Sequence, residues 1–375
     1  MALDAYFSDE EVERARGYER PQRAIGAAQS ALALVTLAAL ARQARVPLRA
    51  LGVARAARDG AALSLTLAGV GLPLGALARK RALNVGLATQ SWRDWGWDLV
   101  RAGVLNATFA GGAAAAVWCL IDRQGERWWQ GAAAGGLALA AIASFAGPVL
   151  LDPIFNNFDP LPDGELRSSI FELADRAGVN LGEVYSVDAS RRSEAVNAYV
   201  AGIGATRRIV LFDTLLEKLS APETRLVVAH ELAHVRHRDV MRGLLFSGLV
   251  SPAMVRAVAR LAPFPTSDAS QADATLPALA LSGAVTALLT GPLARQLSRA
   301  TERRADVFAL ELTRDPDTFI GFEQQVTRSN LADPQPPRWY SLLLATHPPA
   351  LERIGAAAAF KAAGGASPRR SPPRP

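Results

Sequence analysis

The longest uncharged stretch of this 375-residue chain, residues 128–151, is built almost entirely from Ala, Gly, Leu and other apolar residues. A helix that crosses the hydrocarbon core of a bilayer needs about 20 such residues. Four more uncharged stretches have comparable lengths: 24–41, 61–78, 102–121 and 274–294. A sixth apolar segment begins near Met241, although Arg256 and Arg260 interrupt it. Helices buried in a large soluble protein would account for the two shortest stretches but not for residues 128–151.

We therefore expect a mainly α-helical, multi-spanning membrane protein, with about four transmembrane helices over residues 24–151 and two more over residues 241–295. Small residues such as Gly111 and Gly112 suit close helix packing in lipid. Residues 1–23 predict a short amphipathic helix. It leads into an uncleaved membrane anchor, because charged residues precede the first apolar stretch and no clear cleavage site follows it.

The segment His230–His234 has the sequence HELAH. On a helix, its two histidines project from one face about one turn apart, so both can bind a single zinc ion. Glu231 points toward the open side of the metal, where it can act as general base on a bound water whose pKa zinc lowers to roughly 7. The chain has only 4 histidines, and an apolar run leads into the motif, so a chance pair on a surface helix is the weaker interpretation.

Such a site needs one more protein ligand. A third histidine of the same motif would fall at position 240, which is Val240, and His237 is better explained as a polar residue at the helix end. A glutamate on a later helix is the other solution, and Glu302 fits it. Asp306 follows one turn later and is placed to accept a hydrogen bond from a ligand histidine. The predicted ligands of one zinc ion per chain are His230, His234 and Glu302.

The region around the motif mixes helical and strand patterns. The spacing predicts helices over residues 166–177 and 224–237. It predicts short strands over three segments: 184–187, 198–201 and 208–212. We divide this region into a first catalytic part, residues 152–240, and a second, residues 296–360. Residues 361–375 are basic and rich in proline, which predicts a disordered tail.

These motifs and their surroundings resemble the Ste24-type CaaX prenyl proteases, integral-membrane zinc metallopeptidases of family M48. The resemblance covers roughly residues 150–355. Beyond the zinc motif it rests on DPIFNNF at 152–158, NAYVAG at 197–202, RIVLFDTLL at 208–216, and HPP at 347–349 with Arg353. The HtpX-like quality-control proteases share the zinc motif, but the segments around Asn197 and Asp213 favour the Ste24 type.

The resemblance implies a zincin-like α+β metallopeptidase domain embedded among the membrane helices. It places His347 and Arg353 near the metal, where His347 would donate to the developing oxyanion. Arg353 would instead anchor the loop or a substrate carboxylate. An edge strand beside the metal would pair with the substrate backbone, with Asn197 holding the substrate or the tetrahedral intermediate. From the residues alone, Asn197 is equally well a turn residue, and His347 beside two prolines a loop residue. The family has seven spans around a large chamber, one more than we expect here.

The same resemblance implies a peptide substrate with a prenylated C-terminal cysteine, cut on the C-terminal side of that cysteine. A bacterium is not expected to make many prenylated proteins, so a membrane or misfolded protein is the alternative substrate, handled by an HtpX-like quality-control protease. A non-catalytic membrane scaffold that retains the motif is a third possibility, although every expected ligand and the base are present. The lipid bilayer is the other expected partner.

The net charge of +6 comes largely from arginines that flank the apolar stretches. Arginine-rich loops favour the cytoplasmic side and an anionic lipid surface, so we expect the catalytic region to face the cytoplasm, although the arginine-rich loop 42–58 argues the other way. The bias toward Ala and Gly fits a high-GC genome and hence a bacterial plasma membrane. No nucleic-acid-binding motif is present, and we expect no nucleic-acid partner.

Overall fold

The computed structural model describes residues 2–202, 207–262 and 274–364. The sequence also predicts a glycine-containing turn at residues 202–204, between the second and third predicted strands; residues 203 and 204 of this turn, and residues 365–375 of the predicted tail, lie outside the described part. The helices of the described part are α1 (Asp9–Gln43), α2 (Val53–Asn84), α3 (Trp92–Gln124), α4 (Trp128–Leu150), α5 (Asp152–Phe155), α6 (Glu165–Arg176), α7 (Asp213–Lys218), α8 (Ala221–Arg236), α9 (Asp239–Leu261), α10 (Leu276–Thr313), α11 (Pro316–Ser329), α12 (Arg338–Leu343) and α13 (Ala350–Ala362).

Long apolar helices dominate the fold. Among the described residues, five stretches are long and apolar enough to cross a membrane: 9–43, 53–84, 92–148, 239–261 and 276–313. The stretch 92–148 contains both α3 and α4, which a single 3-10 turn separates. Within the described chain, four such helices therefore precede the first catalytic part and two follow it. The expected mainly α-helical, multi-spanning class is confirmed.

The first helix joins the amphipathic segment and the first span without a break. Ser8 and Glu11 form a reciprocal cap at the start of α1, because the Ser8 N–H donates to the Glu11 carboxylate at 2.9 Å and the Glu11 N–H donates to the Ser8 hydroxyl at 3.2 Å. The helix then continues to Gln43. The expected boundary at residue 23 is therefore not a boundary between two helices.

Helices α2 and α3 pack closely through small residues. A Cβ added to Gly60 would lie 2.7 Å from the backbone oxygen of Ala110, and one added to Gly111 would lie 2.8 Å from that of Ala57. Only glycine allows the two backbones to approach this closely, which is the mode of packing that membrane helices favour.

A small mixed sheet supports the catalytic region. Its strands are β1 (Phe158–Pro160), β2 (Glu183–Val187), β3 (Ala198–Ala201) and β4 (Arg208–Phe212), in the order β1-β2-β4-β3. The β2–β4 pairing is parallel, and β1–β2 and β3–β4 are antiparallel. The three predicted strands agree with β2, β3 and β4 within one residue. Strand β3 lies at the edge of the sheet, next to α8.

Buried apolar side chains attach α8 to this sheet and to α11. Leu226 and Leu232 on α8, Ile209 on β4 and Phe319 on α11 belong to one core cluster and are almost fully buried. Burying side chains of this size contributes about 1.5–3 kcal/mol each. Because one face of α8 is fixed in this core, the face that carries the two histidines has a defined direction.

Helix α10 runs without interruption for 38 residues, from Leu276 to Thr313. The sequence pattern predicts a membrane span that ends at residue 295 and a separate catalytic part that begins at residue 296, but this one helix contains both the span and the first 18 residues of that part. Its length is roughly 57 Å at 1.5 Å per residue. At the other end of the catalytic region, α13 extends to Ala362, so residues 361 and 362, which the sequence pattern assigned to the tail, are helical.

The N-terminal segment packs on the catalytic region. Phe7 and Val12 are buried against Ile354 of α13. Glu11 binds Arg328 of α11 at 2.6 Å. The start of α1 and the catalytic region therefore lie at the same end of the membrane helices.

Candidate active site

Two helices bring the predicted metal ligands together. His230 and His234 on α8 have ring centroids 5.0 Å apart. The Glu302 carboxylate on α10 lies 3.2 Å from His230 Nε2 and 3.7 Å from His234 Nε2. Zinc bonds of about 2.0–2.2 Å in a tetrahedral site place neighbouring ligand atoms roughly 3.4 Å apart. These three side chains therefore fit a single zinc ion.

Glu231 lies between the two histidines in the sequence. Its carboxylate lies within 4.8 Å of a ring nitrogen of both His230 and His234, close enough for the three to hold one metal ion. Burial raises its pKa, while His230 and His234 oppose the shift. The backbone N–H of Val200 in β3 donates to this carboxylate. A half-buried carboxylate with a raised pKa, held beside the ligands, suits proton transfer at neutral pH.

Asp306 lies beside the first histidine. It lies one turn after Glu302 on α10, and its carboxylate is 2.9 Å from His230 Nδ1. Burial alone would lower the pKa of His230, but hydrogen bonds with Asp306 and Glu302 raise it to about 10. A metal bound at Nε2 would displace the proton on that nitrogen, while the proton on Nδ1 would stay directed at Asp306.

Asp239 takes the equivalent position beside the second histidine. Its carboxylate lies 3.1 Å from His234 Nδ1 and 2.6 Å from Arg304. The chain turns sharply between α8 and α9, where Arg238 has a φ of 55°. Asp239 was not predicted from the sequence. The signal was a carboxylate just beyond the second histidine, which becomes meaningful only once the helix is known to break there.

Arg353 binds two carboxylates behind the ligands. Its guanidinium donates to both oxygens of Asp306, at 2.5 and 2.9 Å, and lies 2.6 Å from Glu323 of α11. The neighbouring carboxylates raise the pKa of Arg353 against the effect of burial. Glu323 is 3% exposed and was not predicted from the sequence. The expected contact of Arg353 with a substrate carboxylate is not what this geometry favours, because the guanidinium already holds Asp306 and Glu323.

His347 lies on the open side of the ligands. It belongs to the loop before α13, its side chain is 62% exposed, and its Nε2 is 3.6 Å from the Glu302 carboxylate. A substrate at the ligands would therefore lie within reach of this ring.

Asn197 precedes β3, and its side chain is directed at its own backbone. The amide oxygen accepts from the Ala198 N–H at 3.0 Å. Its carbonyl accepts from the Phe212 N–H at 3.1 Å, which aligns β3 on β4. The contact of Asn197 with a substrate therefore stays a prediction.

Comparisons with known proteins agree with this geometry. Residues 160–361, more than half of the chain, match the model of Peptidase family M48. The uncharacterized metalloprotease YhfN of Bacillus subtilis (strain 168) is 32% identical over 281 residues, which are 73% of this chain and 66% of that protein. CAAX prenyl protease 1 of Saccharomyces cerevisiae is 46% identical over 103 residues, which are 27% of this chain and 23% of that protein. The matches thus span less than two thirds of these curated relatives.

The fold also has a relative among solved structures. The crystal structure of S. mikatae Ste24p matches with a TM-score of 0.80 at 23% identity, over 95% of this chain and 91% of that one. The two chains therefore share the arrangement of membrane helices and catalytic region. The chain is an integral-membrane member of peptidase family M48.

Proposed function

We propose that this protein is an integral-membrane zinc metalloendopeptidase. The observation that carries the proposal is the convergence of His230, His234 and Glu302, with Glu231 beside them. Zinc bound there would act as a Lewis acid and lower the pKa of the attacking water. Glu231 takes a proton from that water and passes it to the leaving amine.

The surrounding residues prepare the site for this reaction. Asp306 and Asp239 each fix the ring of one ligand histidine. His347 donates to the oxygen of the scissile carbonyl as negative charge develops there. The outer edge of β3, beside Glu231, pairs with the extended backbone of the substrate, and Asn197 fixes the start of that strand.

The substrate class we propose is a peptide with a prenylated C-terminal cysteine. Supporting this class, relatives from yeast, rice and other eukaryotes have the name CAAX prenyl protease 1 or its homolog. The alternative is the quality control of membrane or misfolded proteins, because a bacterium is not expected to make many prenylated proteins. We further propose a bacterial plasma membrane with the catalytic region in the cytoplasm. The long match to the Bacillus protein and the arginines flanking the spans support this location.

The test compares the wild-type protein with Glu231→Gln in detergent, with zinc content measured on both. The substrates are a farnesylated CaaX peptide and its unprenylated twin. We expect the wild type to cut, and Glu231→Gln to retain zinc with activity reduced by at least about 10²-fold, because the general base is lost. Faster cleavage of the farnesylated peptide supports the CaaX class. A wild type that holds zinc but cuts neither peptide would remove the CaaX assignment and favour quality control or a non-catalytic role.

A further inference from the structure

We propose that a cavity between α10, α12 and α13 binds the headgroup of an anionic phospholipid, and that α12 lies in the membrane interface. The cavity has a volume of about 550 Å³ and is separate from the group of metal ligands. Its walls include Arg299 and Arg303 of α10, Arg338 of α12, and Glu352 of α13.

The cavity has an excess of positive charge. Three guanidinium groups and one carboxylate line it, which gives a net charge of +2. The carboxylate of Glu352 is bound to Arg303 at 2.5 Å. Arg299 is only 4% exposed and donates to two backbone carbonyls rather than to a carboxylate. Within the described part of the chain, neither Arg299 nor Arg338 forms a salt bridge, so an anion would complete the site.

Helix α10 places the cavity at the level of lipid headgroups. The helix is free of charged residues from Leu276 until Arg295. At 1.5 Å per residue, Arg299 and Arg303 lie roughly 6 and 12 Å beyond Arg295 along the axis. The polar layer on each side of the hydrocarbon core is about 5–8 Å thick. With Arg295 at the edge of the hydrocarbon core, Arg299 lies within this layer, and Arg303 lies about 4 Å beyond it on the aqueous side.

Helix α1 gives the same level independently. Arg23 is the last charged residue before the uncharged stretch 24–41. Its guanidinium lies 4.0 Å from the ring centroid of Tyr340 in α12. Both membrane helices thus place α12 at the boundary between their charged and apolar parts.

The surface of α12 is suited to lipid. The side chains of Trp339, Leu342 and Leu343 are 60%, 54% and 46% exposed, and Leu344 next to them is 43% exposed. Exposed Trp and Leu beside arginine are typical of segments that lie in the membrane interface. A free phosphate ion would use only the cavity, whereas a phospholipid also covers these side chains with its acyl chains. The combination favours the phospholipid.

A lipid bound in the cavity would also restrict the motion of the active-site segment that carries His347. This consequence rests on the proposed function. Arg299 donates to the carbonyls of Leu342 and Ala345, at 3.0 and 2.5 Å. Ala345 is two residues before His347. A headgroup bound to Arg299 and Arg338 therefore reduces the mobility of the segment that carries His347.

The experiment measures lipid binding by the full chain, independently of proteolysis. Native mass spectrometry in non-ionic detergent compares phosphatidylglycerol with phosphatidylcholine for the wild type, Arg338→Gln, and Arg303→Gln with Arg338→Gln. Arg93→Gln is the matched control, because Arg93 is an exposed arginine at the start of α3 and does not line the cavity. Arg299 is left unchanged because its hydrogen bonds hold the loop.

We expect the wild type to bind phosphatidylglycerol more tightly, and each arginine removed from the cavity to weaken that binding about fivefold. Arg93→Gln should match the wild type. The proposal would be overturned if the wild type bound both lipids equally tightly. It would also be overturned if Arg93→Gln weakened the binding of phosphatidylglycerol as much as the cavity variants do. The proposal would also be overturned if millimolar inorganic phosphate displaced phosphatidylglycerol and the lipid bound no more tightly than phosphate. That result would indicate a phosphate site. A protein that binds the lipid selectively but cleaves no peptide contradicts the proposed function and leaves this inference in place.

Discussion

The carboxylate of Asp239 holds His234 from the side opposite Glu302, as Asp306 holds His230. Partners of this kind fix the tautomer and the orientation of the ring, and their loss lowers metal affinity by about 10–100-fold. Asp306 is a poor choice for a test because it is almost fully buried and also binds Arg353, so its removal would leave a buried cation with one partner fewer. Asp239 avoids this difficulty because Arg304 is 41% exposed and can be solvated.

We predict that Asp239→Asn lowers zinc affinity by about 10–100-fold with only a small change in thermal stability. Competition with a chelator of known zinc affinity measures the first effect, and circular dichroism on heating measures the second. Asp163→Asn is the matched control, since the Asp163 side chain is 97% exposed and its surface pair with Arg167 contributes little. Zinc affinity unchanged in Asp239→Asn would show that the contact with His234 has no orienting role.

Among the elements, the close contact of α2 and α3 can be tested at two adjacent positions. A Cβ at Gly111 would meet the backbone oxygen of Ala57 at 2.8 Å, whereas one at Gly112 would meet no atom within 4 Å. We predict that Gly111→Ala destabilises the protein by about 1–3 kcal/mol, because the helices must move apart. Gly112→Ala should be neutral or stabilising by up to about 1 kcal/mol, because alanine favours the helix.

Thermal unfolding in detergent, followed by helical circular dichroism, distinguishes these two variants. Both carry the same chemical change on the same helix, so a difference between them reports the contact with α2. Equal effects at the two positions would contradict the close packing.

Elements were predictable where a local pattern defines them. Strands β2, β3 and β4 follow short β-branched and aromatic runs. Strand β1 has only three residues, one of them Pro160, and it pairs only because β2 offers an edge. The continuity of α10 was hidden because its composition changes from apolar to charged at Arg295 while its backbone remains helical. Hydropathy locates the bilayer along a helix but not the end of that helix.

At the scale of the whole molecule, the structure brings together the residues that the sequence selected by their spacing. His230 and His234 are four residues apart, and Glu302 with Asp306 repeats that spacing on a later helix. Glu323 could not be found in this way, because its contact with Arg353 depends on how α11 packs against α13. The residues that contact the candidate ligands from behind are determined by tertiary structure, which a local sequence pattern does not predict.

The packing of the N-terminal segment on the catalytic region also fixes the relative topology of the molecule. Phe7 and Val12 share a buried cluster with Ile354, and Arg16 lies 3.4 Å from Asp333. In the described chain, four membrane helices lie between the N-terminal segment and the first catalytic part, and two more precede the second part, which carries Ile354 and Asp333; an even number returns the chain to the side where it began. We therefore predict that the N-terminus and the catalytic region face the same side of the membrane, with the α1–α2 loop on the other.

Cysteine labelling checks this prediction directly, since Cys119 is the one native cysteine and can be replaced by alanine. Single cysteines at Asp4, Asp163 and Arg45 report the N-terminus, the catalytic region and the α1–α2 loop, and all three positions are exposed. A membrane-impermeant maleimide applied to sealed vesicles of one orientation should label Asp4→Cys and Asp163→Cys together and leave Arg45→Cys unlabelled. Vesicles of the opposite orientation should reverse the pattern. Labelling of Asp4→Cys and Asp163→Cys from opposite sides would require an odd number of spans between them and would contradict the buried contact of Phe7 with Ile354.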